Sequence, residues 1–125
     1  MARILVLDDN KVFLTIATDV LELAGFEVVA VANTSNIEHL LEKESFDLLI
    51  TDIIMPEKEG IEIIMMVKNK YPDTKIIAIT GMQMGDSFDL LTIAANIGAH
   101  ATLKKPFSNQ QLLDKVISTI GQDTE

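Results

Sequence analysis

Three carboxylates, a hydroxyl and an ammonium stand at the downstream ends of short apolar runs in this chain. Asp8 and Asp9 follow Ile4-Leu5-Val6-Leu7, and Asp52 follows Leu48-Leu49-Ile50-Thr51. Thr80 closes Ile76-Ile77-Ala78-Ile79, and Lys105 lies just beyond Ala101-Thr102-Leu103. Carboxylate oxygens suit a hard divalent cation, a hydroxyl can donate to a phosphoryl oxygen, and a lysine ammonium is a flexible point charge. Brought to one edge, the set suits a divalent metal and a phosphoryl group.

An α/β fold supplies such an edge. Apolar runs alternate with helical patterns throughout, as in strands that feed helices. Ligands of a parallel sheet bind at the carboxyl ends of its strands. After the first run, Phe13, Ile16, Val20 and Leu23 recur at three-four spacing and predict one helical face, with Thr15, Asp19 and Glu22 opposite and Gly25 as the stop. Val28–Val31 reads as the second strand, and Asn33-Thr34 as the cap of a helix that turns Ile37, Leu40 and Leu41 inward. Beyond Pro56, a third helix shares Ile63, Ile64, Val67 and Tyr71 on one face and ends at Pro72-Asp73. Asp86-Ser87 signals a fourth, running towards Gly98 with Leu90, Ile93, Ala94 and Ile97. Ser108 caps the last, which carries Leu113, Val116, Ile117 and Ile120. The expected architecture is one doubly wound parallel sheet of five strands, order 2-1-3-4-5, with five helices.

Composition narrows the function. With 125 residues, 48% of them hydrophobic, the chain suffices for one domain with a proper core, yet no apolar run is long enough to span a bilayer. Cysteine is absent, which excludes disulfides and thiolate metal sites. The formal charge of -9 argues against direct nucleic-acid binding, because phosphate backbones reward lysine and arginine. Met1-Ala2-Arg3 leads straight into a strand without a signal-peptide pattern, so a cytoplasmic domain is expected.

Taken alone, Asp8 or Asp9 reads as a helix cap. A phosphate-binding loop is excluded, since no glycine-rich turn follows the strand and paired carboxylates repel an anion. Adding Asp52 changes the balance: three carboxylates in one cleft stay ionised cheaply only beside a cation, and magnesium favours such ligands. Asp52 then reads as a carboxylate nucleophile. His39 and His100 have no companion at metal-ligand spacing, and Met65 and Met66 read as packing residues. Met82 and Met84 lie in a segment flanked by Gly81 and Gly85, near the expected site.

The combination resembles a response-regulator receiver domain, the phosphoacceptor half of a two-component system. The matching residues are Ile4-Leu-Val-Leu-Asp-Asp9, Asp52-Ile-Ile-Met-Pro56 with Gly60, Thr80-Gly81, Gly98-Ala99 and Lys104-Lys105-Pro106-Phe107, over essentially the whole chain. The resemblance implies a flavodoxin-like receiver over 1–125 with no output domain in it. It implies Asp52 as phosphoacceptor, and Asp8, Asp9, Asp52 and the backbone carbonyl of Ile54 around Mg2+, with Mn2+ an alternative. Asp9 would ligate directly and Asp8 through water. Thr80 and Lys105 would grip the phosphoryl group, delivered by a sensor histidine kinase or a phosphotransfer protein, and a cis Lys105-Pro106 bond would aim the lysine. Family members usually carry Tyr or Phe where this chain has Thr102, so output is expected through Gly81–Asp86 and the fourth helix rather than an aromatic swing. Ile54 and Met82, both apolar, are expected to crowd an attacking water and lengthen the life of the phosphorylated form.

Two other functions fit parts of the pattern. A magnesium-dependent phosphatase of the haloacid-dehalogenase type also uses an aspartyl phosphate, but carries its nucleophile in an Asp-x-Asp pattern after the first strand. This chain has Asp8-Asp9-Asn10 there. A non-phosphorylated interaction module would not need Asp9, Asp52, Thr80 and Lys105 together.

Overall fold

Unbroken aliphatic runs are stable as strands when both faces of the sheet are covered. Three such runs, β1 (Arg3–Leu7), β3 (Leu48–Asp52) and β4 (Lys75–Thr80), form the middle of the sheet, and the less buried β2 (Glu27–Val31) and β5 (Ala101–Lys104) its edges, all parallel in the order β2-β1-β3-β4-β5. The computed structural model describes residues 2–53, 60–80, 92, 94–96 and 98–121. Helices α1 (Lys11–Leu23), α2 (Ile37–Lys43) and α3 (Gly60–Lys70) follow the first three strands. Thr92 and residues 94–96 belong to α4, and α5 (Asn109–Gly121) closes the fold. This is the expected sheet and strand order. None of the described helices is long and apolar enough to cross a membrane.

The sheet separates two apolar layers. Leu5, Leu7 and Leu49 face one way, with Ile37, Leu41, Ile63, Ile64 and Val67 from α2 and α3. Ile4, Val6, Leu48 and Ile50 face the other, with Leu14, Ala17 and Leu21 of α1 and Leu112 and Val116 of α5. The strand order reverses between β1 and β3, and this switch point opens a crevice at their carboxyl ends. Leu7 is paired with Thr51, so Asp8 and Asp52 emerge at the same height. Asp52 in turn is paired with Ile79, and Thr80 with Lys104. Register alone therefore brings the polar strand ends level.

Several local expectations hold at atomic detail. Gly25, at φ 99°, ends α1 in a Schellman turn: its N–H donates to Glu22 O and that of Phe26 to Leu21 O. Ser108 and Gln111 form a capping box, each side chain accepting from the other's backbone N–H at 3.0 and 2.8 Å.

Other expectations are corrected. The buried stripe of α1 is Leu14, Ala17 and Leu21, while Leu23 is 89% exposed and Ile16 is exposed too. Leu14, Ala17 and Leu21 are the residues that join Ile4, Val6, Leu48 and Ile50 in the core, and this packing selects the stripe. In α5 the buried residues are Leu112, Val116 and Thr119, and Ile117 faces solvent. Helix α2 begins at Ile37, after Asn36, because Asn33 Oδ1 accepts the Ser35 N–H in a local turn. Met66 packs on the core, whereas Met65 is exposed. The capping pair Asp86-Ser87, with Leu90, Ile93 and Ile97, lies outside the described residues.

At the opposite end of the strands, Arg3 ties β1 to Glu27 and to Glu44. The hydrogen bond to Glu44 chiefly raises its guanidinium above the ordinary value. Its backbone N–H donates to Asp47 Oδ2 at 2.8 Å.

Candidate functional site

The turn after β1 sorts the acidic pair. Asp8 is buried and Asp9 exposed. Asp8 Oδ1 accepts the Asn10 N–H at 2.9 Å, and Asn10 Oδ1 caps α1 by accepting the Phe13 N–H at 3.1 Å. One short turn thus fixes both the carboxylate and the start of the helix. Asp52, the last residue of β3, is 9% exposed. Carboxylate oxygens of Asp8, Asp9 and Asp52 all lie within 4.8 Å of one another.

Lys105 enters this cleft from beyond β5. Its Nζ is 2.9 Å from Asp8 Oδ2 and 3.7 Å from Asp52 Oδ2. The following Lys105-Pro106 bond is cis, as expected. Its own N–H donates to Thr80 O at 2.8 Å, which sets the lysine beside the hydroxyl residue. Thr80 is fully buried, and its Oγ1 has no hydrogen-bond partner among the described residues. Buried hydroxyls generally have a hydrogen-bond partner, which sets Thr80 apart among the described residues.

Gly60 opens α3 against the nucleophile candidate. Its N–H donates to Ile53 O at 2.7 Å, and a Cβ there would lie 2.3 Å from Asp52 O and 2.6 Å from Ile53 Cα. Only glycine lets the helix start so close to that backbone. Ile54, Pro56, Met82, Met84 and the Gly81–Asp86 segment lie outside the described residues. Thr102 sits on β5 opposite Ala78 and is half-buried.

Three carboxylates this close repel one another, and Lys105 offsets only part of that charge. Magnesium binds through a few carboxylates while keeping waters, and this donor set fits it. Two aromatic residues complete the rim unannounced by spacing. The Phe13 ring lies beneath the lysine, its centroid 4.5 Å from Nζ, and Phe107 meets Phe13 edge-on. His100 is also better employed than expected: its Nδ1 accepts the Ile76 N–H at 3.0 Å, joining β4 to β5.

Residues 4–117 match the family model described as the response regulator receiver domain. The chain belongs to that family. Like other receivers it serves two-component signalling as a phosphorylation switch, a phosphoacceptor rather than a conventional enzyme, in a family that generally binds Mg2+ at an acidic pocket. This receiver is 33% identical to the response regulator receiver protein CpdR of Brucella abortus, covering 93% of this chain and 94% of that protein. It is also 33% identical to the DNA-binding transcriptional regulator NtrC of Azospirillum brasilense over 98% of its length, but spans only 25% of that protein. A receiver domain protein from Clostridium thermocellum superposes with a TM-score of 0.88 at 30% identity, covering 99% of this chain and 98% of that one. The family match sets aside the phosphatase.

Proposed function

We propose that this receiver takes a phosphoryl group onto Asp52, with Asp9, Asp8 and the carbonyl of Ile54 around a divalent cation, Mg2+ by preference. The observation that carries this reading is the convergence of three carboxylates within 4.8 Å, with the Lys105 ammonium among them. Asp9 is the direct metal ligand and Asp8 the indirect one. In support, both oxygens of Asp8 have partners, the Asn10 N–H and Lys105 Nζ, while Asp9 is exposed.

The chemistry follows from the positions. An Asp52 oxygen attacks phosphorus in line, and the P–O bond forms as the donor's P–N bond breaks, the imidazole leaving with the electron pair. A bound divalent cation supplies charge neutralisation to the attacking and phosphoryl oxygens. Lys105 then exchanges a carboxylate for the phosphoryl group, and the Thr80 hydroxyl donates to it. The domain in this way assists its own phosphorylation. The donor is a sensor histidine kinase or a phosphotransfer protein, and output passes through the Thr80 end of β4 to α4, since Thr102 offers no ring to swing.

Acetyl phosphate and magnesium should add one phosphoryl group by mass, lost in Asp52→Asn and in chelator. Equal labelling of the mutant, or full labelling in chelator, refutes the assignment.

A further inference from the structure

Lysine carries a long flexible stem, and holding its head in one place costs rotamer freedom. The Lys105 side chain is 24% exposed, so its ion pair with Asp8 is partly open to water. A second contact, besides the carboxylates, meets the ammonium at the cleft. The ammonium lies 4.5 Å from the centroid of the Phe13 ring, within the roughly 6 Å over which an aromatic face attracts a cation. Phe107 braces that ring, with centroids 5.9 Å apart and planes at 85°.

The geometry points to Phe13 as a positioning residue for Lys105: its ring, braced by Phe107, fixes the ammonium at the mouth of the acidic cleft. The Asn10 turn makes this a built arrangement. Asn10 donates its N–H to Asp8 and accepts that of Phe13, so one residue sets both the carboxylate and the ring on which the lysine rests. The bland alternative is that Phe13 only covers the edge of the apolar layer on which it packs. Leucine would serve that purpose nearly as well, and it has no π face. This inference rests on the reading that Lys105 grips the phosphoryl group at Asp52.

The test compares wild type with Phe13→Leu and Phe13→Tyr. In magnesium-free, unphosphorylated protein, ring current should move the Lys105 ε-methylene proton signals upfield in wild type and Phe13→Tyr, with a smaller displacement in Phe13→Leu. Initial labelling rates with acetyl phosphate at saturating magnesium should fall roughly two- to fivefold in Phe13→Leu, a factor suited to a partly exposed cation–π contact, and recover in Phe13→Tyr. Unchanged Lys105 signals in Phe13→Leu, or equal rate losses in both variants, overturn the proposal. If wild type takes up no phosphoryl group, the Asp52 reading falls, and the Lys105 signals alone decide on Phe13.

Discussion

The Lys105 ammonium lies 2.9 Å from Oδ2 of Asp8, a carboxylate whose side chain is only 1% exposed. Under the proposed function, in which a metal reaches Asp8 through water, the ammonium and the cation would compete for this carboxylate.

Replacing Lys105 by Met should tighten magnesium binding. Removing a positive charge beside partly screened carboxylates is worth on the order of 1 kcal/mol, or about three- to tenfold in affinity. Calorimetric titration is the suitable measurement, because the chain has no tryptophan to report by fluorescence. Labelling by acetyl phosphate should fall in the same variant. Weaker metal binding would count against the competition.

Thr80→Val should stabilise the resting protein while disabling the switch. The Thr80 hydroxyl is buried without a partner among the described residues, and valine has nearly the same shape. A gain of about 1 kcal/mol in urea denaturation is expected. On adding beryllofluoride, wild type and Thr80→Ser should show their largest amide shifts in Gly81–Asp86 and α4, and Thr80→Val should lose them. Wild-type shifts concentrated instead in α2 would rule out this route.

Gly60→Ala should damage both stability and chemistry. The new Cβ would press on the backbone of Asp52 and Ile53, not on a flexible side chain, so the peptide of Asp52 must move. A loss of about 1–3 kcal/mol is expected from overpacking, with slower phosphorylation of the fraction still folded. Labelling at the wild-type rate would show that the contact does not set the position of Asp52.

Gly25→Ala provides the opposite control. At φ 99° an added Cβ is strained, and about 1–2 kcal/mol of stability should be lost. Gly25 lies just before β2, at the far end of the strands from the cleft. The initial phosphorylation rate should stay at the wild-type value; a parallel loss would link the site to global stability.

Strands and site were legible for the same reason. Aliphatic runs that must bury on both faces stop abruptly at a charge or hydroxyl, and those stops are the candidate site. Helix faces were less legible. Helix α1 is apolar on most sides, with Val12, Phe13, Leu14, Ile16, Ala17, Val20, Leu21 and Leu23, so spacing supports more than one stripe. Only packing against the sheet selects the stripe through Ala17. The contact between Lys105 and Phe13 joins residues from opposite ends of the chain, and no local pattern encodes it. His100 looked idle because its partner is a backbone N–H, which every non-proline residue has.

At one end of the β4–β5 pair, the Lys105 N–H is bonded to Thr80 O; at the other, His100 and Ile76 exchange two hydrogen bonds. Strand β5 is thus clasped at both ends and cannot slide along β4 without breaking a clasp. The hydroxyl and the ammonium therefore ride on one frame. Anyone transplanting this site into a different sheet should therefore carry the clasped strand pair as the unit, because the two residues lifted out singly would lose the spacing that makes them a grip.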